Sequence, residues 1–599
     1  MWARHRREAA IALLAAVLGG VYLAAPRMGS DLAAQVGRAE FFAAHGWAPV
    51  DLRWYAGVNQ LGYSLVSQPV MAWLGVRVTG VVSLVTGSVL LLLLFRRTGG
   101  TRLRLAGLLG VAGLAGNLVS GRITYGLGVC LGLAALLALT YLPRRSAAVA
   151  AAVLAALASA TSPVVALFLG LAGTALLLSG WVSGVSRVPR AASEPADQVE
   201  AARHPHQRVV HSPAAGDPAS ASHCLRGAPL GGWGLRRWGS HGRGLRGWGL
   251  RGRELPGREL PGQELRNGRP LLIAGPAAAL IALNALLFGD GGWMNISRTD
   301  TLHAVLTGLL VAALVPVRPV RIGALLSSAG VLAAALVHTP VGLNATRLAV
   351  MFALPVLAAY AKLPDRVGKR TATAGIAGIL ALTAWWQPPV VTADLRDLGN
   401  PAADPDYFRP LTDRLAAEPL TGRVEIPPTR AYWEAARLGD VPLARGWLRQ
   451  ADIDRNPLFF TTVPGAAGTG VPLSAGTYRL WLAEQAVQFV AVPDAELSWS
   501  GRAEAELVTA GLPYLTPVWS GAHWRLYAVA DPQPIVAAPA TLVRHTAAAV
   551  TLDAPAAGDV RVRVRWSRWL TGSGGASVRR DGDWTILRVP GPGRYTLSS

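Results

Sequence analysis

The stretch MGSDLAAQVGRAEFFAAHGWAPVDLRWYAG, Met28–Gly57, places aspartates, arginines, a histidine and large aromatic residues directly after the first long apolar run of the chain. Ser30 and Asp31 precede LAAQVGRAEFFAAHG, which predicts an amphipathic helix with Asp31 as its N-cap residue. An amphipathic helix that follows a long apolar run is typical of a segment lying on a membrane surface. The stretch therefore predicts a polar outer loop that follows a first membrane span.

The composition of the chain agrees with this prediction. Of the 599 residues, 51% are hydrophobic and 15% are charged, and the mean hydropathy is +0.34, whereas an ordinary soluble domain is about 25% charged. The two cysteines, Cys130 and Cys224, lie in an apolar run and in a polar linker, so they predict neither a disulfide framework nor a metal motif. The composition therefore predicts a polytopic α-helical membrane protein.

Long apolar runs mark the spans, because a helix needs about 20 apolar residues to cross the hydrocarbon layer. The basic cluster Arg4–Arg7 predicts a cytoplasmic N-terminus, and almost every inside end carries clustered Arg or Lys, as the positive-inside rule requires. This topology leaves Trp385 to Ser599 outside a bacterial plasma membrane, and residues 63–76 predict a short interfacial or re-entrant piece. The eleven predicted spans lie at about 9–25, 78–95, 103–119, 126–142, 147–161, 163–182, 271–288, 301–316, 322–337, 346–361 and 371–386.

The net charge of +22 and the pI of about 11.1 would suggest nucleic acid as the partner of a soluble protein. Here much of the positive charge lies at helix ends and in the linker 185–270, so we expect no nucleic-acid partner. The linker contains LRGWGLRGRELPGRELPGQEL, which has too few aliphatic residues to pack a core. It predicts a disordered cytoplasmic insertion, with binding to acidic lipid headgroups as the alternative.

The tail after the last span predicts a mixed α/β structure. AVQFVAVP, HWRLYAVA, VRVRVRW and WTILRV are rich in β-branched and aromatic residues and predict strands. PDYFRPLTDRLAAE and TYRLWLAEQA predict amphipathic helices. The predicted domains are 1–184 with six spans and the outer loop 26–62, the linker 185–270, 271–388 with five spans, an extracytoplasmic α/β domain 389–534, and a β-rich module 535–599.

Several motifs together resemble a known superfamily. An apolar first helix is followed by GSDL, RAEFFxxHG and PVDLRWYAG, and then by a Tyr and a Pro before the second span. This order resembles the GT-C superfamily, polytopic glycosyltransferases that use polyprenyl-phosphate sugars, and more narrowly the actinobacterial membrane proteins grouped with the 6-pyruvoyl-tetrahydropterin synthase-related membrane family. The resemblance extends over Ser120–Gly128, Thr161–Pro163, Gly342–Pro355 and Leu443–Phe460.

The resemblance implies that the acidic residues of the first outer loop carry the chemistry. Asp31 would orient or deprotonate the acceptor hydroxyl, or help to hold a divalent metal ion, and a base in that position typically contributes about 100- to 10,000-fold. Asp51 would be the second acid, or a turn residue. The alternative for Asp31 is a purely structural helix cap.

A lipid-phosphate leaving group also needs cations on the outer face. Four arginines fall on predicted outer loops, where the positive-inside rule disfavours them, and a guanidinium donates two hydrogen bonds at once to phosphate. These arginines are Arg53, Arg122, Arg298 and Arg347. For each of them the alternative is an arginine that faces headgroups or forms a salt bridge, and His45 and His338 are neighbours of the site or structural histidines.

The segment RGWLRQADIDRN, Arg445–Asn456, is placed over the outer face of the membrane. Trp447 would stack on a sugar ring, while Gln450 and Asp452 would bond to its hydroxyls; the alternative is a turn with a buried tryptophan. The predicted partners are therefore a polyprenyl-phosphate sugar donor, an envelope glycan or lipid acceptor, and membrane lipids.

Three functions agree with the sequence. The first is transfer of a sugar from a polyprenyl carrier to a cell-envelope acceptor. The second is transport or flipping of a lipid-linked precursor, which the scarcity of ionisable residues within the spans disfavours for an ion-coupled transporter. The third is a non-catalytic scaffold for envelope assembly, whose helices only anchor the tail.

Overall fold

The computed structural model describes residues 6–142, 144–185, 270–364, 366, 368–466 and 470–599. Nearly all of the predicted linker 185–270, with Cys224, therefore lies outside the described residues. Apart from the last two residues of α8, the described elements belong to one compact unit formed by Met1–Ser183 and Leu260–Ser599. The helices of the first part are α1 (Arg6–Ala24), α2 (Leu32–His45), α3 (Ser67–Leu74), α4 (Val76–Arg97), α5 (Leu103–Val119), α6 (Ile123–Leu139), α7 (Arg145–Thr161) and α8 (Pro163–Val185). Those of the second part are α9 (Leu271–Phe288), α10 (Arg298–Leu314), α11 (Arg318–Leu336), α12 (Arg347–Tyr360) and α13 (Lys369–Trp386).

Each predicted span coincides with a helix, because the apolar runs satisfy their backbone hydrogen bonds within one segment. Within the described residues, six helices are long and apolar enough to cross a membrane. Three further apolar helices, α5, α6 and α7, are shorter. Helices long and apolar enough to span a membrane are thus present, whereas the number of eleven crossings stays a prediction. The six segments are Arg6–Ala24, Val76–Arg97, Pro163–Gly180, Leu271–Phe288, Arg318–Leu336 and Gly342–Tyr360.

Small residues let the helices approach closely, as in other membrane bundles. Gly113 of α5 lies against the backbone of Met351 in α12, where an added Cβ would be 2.8 Å from the Met351 carbonyl oxygen. At the other end of the pair, Arg102 Nε donates to the carbonyl of Ala358 at 2.7 Å. This packing places the first turn of α12 beside the turn between α5 and α6.

The amphipathic helix predicted from the quoted stretch is present as α2, and the short interfacial piece is present as α3. Trp47, just after α2, is 57% exposed and Trp73 of α3 is 83% exposed. Tryptophan is enriched where membrane and water meet. The two short helices therefore have the character of elements that lie at the headgroup level.

The first part of the tail is a mixed sheet covered by helices. Its strands are β3 (Arg423–Glu425), β4 (Val487–Pro493), β5 (Leu515–Ser520) and β6 (Trp524–Val529), in the order β3-β4-β6-β5. Strand β3 pairs parallel with β4, and the other pairs are antiparallel. The helices of this region are α14 (Thr392–Leu395), α15 (Pro405–Ala416), α16 (Glu434–Arg437), α17 (Arg449–Arg455), α18 (Ala475–Glu484) and α19 (Trp499–Thr509).

Two antiparallel sheets form the end of the chain. One has the order β10-β13-β8-β7 and the other β11-β12-β9, and buried Val550, Val562, Leu587 and Leu597 belong to one hydrophobic cluster. This is the arrangement of a small β-sandwich. The strands are β7 (Thr541–His545), β8 (Ala549–Ala554), β9 (Gly558–Arg565), β10 (Thr571–Gly572), β11 (Ser577–Asp581), β12 (Trp584–Val589) and β13 (Gly593–Ser598).

The tail packs directly on the quoted stretch. Within that stretch, β1 (Val50–Asp51) pairs with β2 (Val58–Asn59). The indole of Trp54 donates to the carbonyl of Ala435 at 3.1 Å, and the amide of Leu443 donates to the carbonyl of Arg53 at 2.7 Å. The quoted stretch and the tail thus pack together as one continuous layer.

Candidate functional site

Asp31 lies at the end of the segment that connects α1 to α2. Gly29 has φ +106°, and an added Cβ would overlap the carbonyl oxygen of Val119 at the end of α5, so the loop can pass here only with glycine. Asp31 occupies the N-cap position of α2, but its side chain makes no capping hydrogen bond. The carboxylate is therefore available for other partners, and it does not act as the helix cap that the sequence offered as an alternative.

Two of the predicted arginines meet this carboxylate. Arg122 Nε lies 3.3 Å and Arg347 Nη2 lies 3.6 Å from Asp31 Oδ2. Arg122 precedes α6 and Arg347 begins α12, so the close packing of α5 and α12 brings these remote segments together. The side chains of Asp31, Arg122 and Arg347 are 15%, 24% and 18% exposed. The trio carries a net charge of +1 and remains open to solvent.

A pair of aspartates after the last long helix holds the loop of Asp31 in place. Asp397 accepts the amide of Gly29 at 3.1 Å, and Asp394 accepts the amide of Ser30 at 3.1 Å. Asp394 also accepts the hydroxyl of Ser120 at 2.5 Å, and the amide of Asp31 donates to the carbonyl of Ser120 at 3.1 Å. Both aspartates were missed in the sequence, although VTADLRDLGN places them just after an apolar helix.

A segment of the tail that contains Trp447 and Arg449 lies against the same loop and covers it. The indole Nε1 of Trp447 donates to the carbonyl of Ser30 at 3.1 Å, and Trp447 meets Tyr63 edge-on with ring centroids 6.3 Å apart. Arg449 Nη2 donates to the hydroxyl of Tyr432 at 3.3 Å. The interaction with Tyr432 is the largest cause that raises the pKa of Arg449, and the charge of Asp31 contributes. Arg449, which the sequence did not single out, is thus a third cation near the carboxylate.

A polar network forms the floor between α2, α3 and α6. Gln35 Nε2 donates to the hydroxyl of Tyr63 at 2.9 Å, and Thr124 Oγ1 donates to Gln35 Oε1 at 2.6 Å. The guanidinium of Arg38 lies over the Tyr63 ring, 3.9 Å from its centroid. Burial raises the pKa of Tyr63, so its hydroxyl stays protonated and remains a hydrogen-bond donor near neutral pH.

Asp51 and Arg53 form a separate pair. Arg53 donates to Asp51 through Nε at 3.0 Å and Nη2 at 2.7 Å, and Gln60 Nε2 donates to Asp51 at 2.6 Å. Asp51 is fully buried and Arg53 is 6% exposed. The two side chains therefore satisfy each other inside the loop, and the structure does not bring them to Asp31.

The remaining predicted neighbours lie apart from the trio. His45 ends α2, which separates it from Asp31 by roughly 20 Å along the helix, and its ring lies 5.1 Å from that of Phe41. Arg298 is an exposed residue at the start of α10. His338 is exposed and stacks on Trp293 with centroids 4.0 Å apart.

Of the predicted sugar contacts, Trp447 reaches the loop of Asp31, whereas Asp452 points into the tail. Asp452 is 1% exposed and accepts Arg445 Nε at 3.1 Å and Nη2 at 3.0 Å. Gln450 is half-buried, and its backbone carbonyl packs against Gly292. Of the three predicted sugar contacts, one is thus directed at the candidate site and one into a buried ion cluster.

The buried ion cluster around Arg445 holds the segment Arg445–Asn456 in position. Arg445 Nη1 lies 2.9 Å from Glu504 and 3.6 Å from Glu425, so with Asp452 three buried carboxylates surround one guanidinium. Burial raises the pKa of Glu425 well above its ordinary value and that of Glu504 to about 7. A single residue, Gly446, separates Arg445 from Trp447, and the hydroxyl of Tyr55 also donates to the carbonyl of Gly446.

The raised pKa values predict that stability falls with rising pH. Burial also raises the pKa of Glu434 to about 7. A carboxyl that is harder to ionise in the folded chain contributes its full stability below its ordinary pKa of 4.5, and this contribution is lost as the pH rises through about 7. We expect hydrogen exchange of β4 amides in the full chain, corrected for intrinsic rates, to report weaker protection at pH 8 than at pH 5. The Glu504→Gln variant should reduce this slope; an equal slope in the variant would contradict the assignment.

The donor set does not fit a divalent metal ion. A hard cation needs several oxygen ligands, whereas Asp31 faces two guanidinium groups. Within the described residues, no group of three or more His, Cys, Asp or Glu side chains is placed to hold a metal. The arrangement suits an anion that brings its own phosphate oxygens to the arginines.

Comparisons with known proteins assign no family. No family model matches the chain, and no curated protein matches it. Among solved structures, the arabinofuranosyltransferase AftD from mycobacteria is 17% identical with a TM-score of 0.40, and the match covers 92% of this chain and 41% of AftD. A mutant form of AftD is 16% identical with a TM-score of 0.39, covering 88% of this chain and 42% of that one. The chain thus spans about two fifths of the length of these proteins, and its function rests on its own side chains.

Proposed function

We propose that this chain transfers a sugar from a polyprenyl-phosphate donor to a cell-envelope acceptor at the outer face of a bacterial plasma membrane. The proposal is carried by one observation, the meeting of the Asp31 carboxylate with the guanidinium groups of Arg122 and Arg347. The three residues come from three separate elements and stay partly exposed at a polar layer that adjoins apolar helices. A charged lipid substrate needs such a boundary between cations and hydrocarbon.

The arginines are suited to the donor phosphate. A guanidinium binds a phosphate through two parallel hydrogen bonds, and Arg449 adds a third positive charge close by. When the phosphate binds, the arginines exchange part of their interaction with Asp31 for the phosphate oxygens. They then stabilise the negative charge that develops on the leaving lipid phosphate.

The exchange frees the carboxylate of Asp31 for the acceptor. Asp31 takes the proton of the acceptor hydroxyl while the hydroxyl oxygen forms a bond to the anomeric carbon of the sugar. The bond between that carbon and the donor phosphate oxygen breaks, and polyprenyl phosphate leaves. Trp447, fixed by its hydrogen bond to Ser30, presents an aromatic surface beside the loop on which a sugar ring can stack.

Transfer can be tested without knowing the sugar. The purified full chain is mixed with a lipid extract of bacterial membranes that supplies polyprenyl-phosphate sugars and envelope acceptors. We expect mass spectrometry to detect free polyprenyl phosphate together with a glycosylated acceptor. Absence of donor cleavage in an extract that contains both substrates would overturn the proposal, and movement of intact donor between leaflets would identify a flippase instead.

Substituting the site arginines is expected to weaken donor binding. A hydrogen bond to a charged group contributes about 1.5–3 kcal/mol, so Arg347→Gln should raise the donor KM roughly 10- to 150-fold. Arg298→Gln, an exposed arginine of another outer loop, is the matched control and should leave KM unchanged. Equal KM values for the two variants would show that Arg347 does not contact the donor.

A further inference from the structure

A groove of about 270 Å³ lies between the end of α1, the first turns of α2 and the start of α4. Two arginines, Arg27 and Arg77, line it together with the first turn of α4. The apolar side chains of Leu32, Val36 and Val78 complete its walls. The groove therefore combines positive charge and hydrocarbon in one small space.

The start of α4 adds its own positive end to this space. The first amides of a helix have no partner within the helix, and they carry the positive pole of its dipole. α4 has 22 residues, and no side chain caps its N-terminus at Gly75. Such an uncapped end binds anions, phosphate above all.

Arg77 is held at the wall of the groove. Its Nη2 donates to the carbonyls of Tyr22 and Ala25, the latter at 2.8 Å, and its guanidinium lies 4.8 Å from the centroid of the Tyr22 ring. Its Nε is buried with no hydrogen-bond partner. A buried donor without a partner is costly, so the protein leaves this guanidinium one hydrogen bond short.

Arg27 provides the second cation. It is exposed, and within the described residues it forms no ion pair. No carboxylate lines the groove, because Asp31 turns its oxygens to Arg122 and Arg347. The lining of the groove thus holds two arginines and no acidic residue, although the charge of Arg27 also acts on nearby Glu40.

The apolar wall of the groove is formed by one side of α2, and the polar network of the candidate site is formed by another side of the same helix. Leu32 and Val36 are four residues apart and share one flank, whereas Gln35 and Arg38 belong to the polar network below Tyr63. Val78 is 42% exposed, so the groove opens to the side of α4. A ligand here would lie next to the transfer site and outside it.

We propose that this groove binds an anionic glycerophospholipid of the bilayer. The phosphate lies between Arg27, Arg77 and the start of α4, and the glycerol and first acyl carbons lie against Leu32, Val36 and Val78. The groove volume of about 270 Å³ lies just below the range of drug-sized ligand sites, about 300–1,000 Å³, and so it suits a headgroup. This binding goes beyond the transfer reaction and is measured independently of it.

Native mass spectrometry of the full chain tests the proposal. The detergent-solubilised protein is mixed with equal amounts of phosphatidylglycerol and phosphatidylcholine, and we expect retention of phosphatidylglycerol. Arg27→Glu should reduce this retention roughly tenfold or more, since it removes one charged hydrogen bond and adds repulsion. Arg104→Glu reverses another exposed arginine near a helix end and should retain the lipid like the original chain.

Two further variants distinguish the lipid-binding proposal from the proposed transfer reaction. Arg77→Gln should also lower retention. Asp31→Asn should lower transfer by about 100- to 10,000-fold and leave lipid retention unchanged, so that failure of one proposal is distinguished from failure of the other. Equal retention of both lipids, or equal retention by Arg27→Glu and Arg104→Glu, would overturn the assignment. Displacement of phosphatidylglycerol by an equimolar polyprenyl phosphate would overturn it as well, because the groove would then belong to the donor.

Discussion

Asp31→Asn is expected to lower kcat for sugar transfer by about 100- to 10,000-fold, the usual contribution of a positioned base, while the donor KM stays the same or falls. Asparagine keeps the shape of the side chain but cannot take the proton of the acceptor hydroxyl. Its neutral amide also leaves Arg122 and Arg347 without a counter-charge, which favours the donor phosphate. Asp31→Asn should therefore lower kcat without raising KM, whereas the arginine variants should raise KM and also lower kcat, because the arginines stabilise the leaving phosphate.

Steady-state kinetics with the membrane lipid extract would measure both parameters. Asp300→Asn is the matched control, because Asp300 is an exposed acid in the first turn of α10 and we expect its loss to leave kcat unchanged. If Asp31→Asn keeps its kcat, or loses activity only through a higher KM, Asp31 is not the base. In that case a non-catalytic scaffold becomes the better interpretation of the trio.

The sequence predicts the membrane helices well because each apolar run determines its own local structure. α2 and α3 were predictable for the same reason, as were β4, β6, β9 and β12 in the tail. The number of crossings was less accessible: α5, α6 and α7 are short, and length and composition alone do not decide whether they span the bilayer.

Site residues were predictable where the predicted membrane topology disfavours their residue type. They were unpredictable where their role depends on contacts between distant parts of the chain. Arg122 and Arg347 stood out because arginine is disfavoured on outer loops, and the structure places both beside Asp31. The same criterion selected Arg53, which instead pairs with Asp51 two residues away. A short-range partner of this kind competes with any distant one, and the span topology does not reveal it.

The residues that were missed come from the tail and from the segment after α13. Asp394 contacts the loop of Asp31, and the charge of Asp31 acts on Arg449, only because the tail packs against the segment between α1 and α3. Nothing local in their sequence indicates that contact. The buried acids around Arg445 are likewise separated along the chain, so a search for motifs with fixed spacing does not find them.

Arg445→Met should destabilise the tail by about 3–5 kcal/mol at pH 7, the usual cost of leaving buried charges without their partner. Arg445 is 3% exposed, and Glu425, Asp452 and Glu504 are at most 1% exposed, so water cannot replace the guanidinium. Protection of β4 amides against hydrogen exchange in the full chain should fall roughly 150- to 5,000-fold. The loss should be smaller at pH 5, because the pKa values of Glu425 and Glu504 are raised and these carboxyls then take up protons.

Arg502→Met is the matched control for Arg445→Met, because it also replaces an arginine of the tail by methionine but leaves the buried cluster intact. Arg502 lies 3.7 Å from Glu496 in an exposed pair, and such pairs contribute about 0–1 kcal/mol. In the Arg502→Met variant, protection of β4 amides should therefore stay close to that of the original chain at pH 7 and at pH 5. Because Arg445 also holds the segment that carries Trp447 and Arg449, its variant should lose transfer activity even at pH 5, where the tail remains folded. An Arg445→Met chain with full protection and full activity would show that the buried cluster neither stabilises the tail nor positions the cover over Asp31.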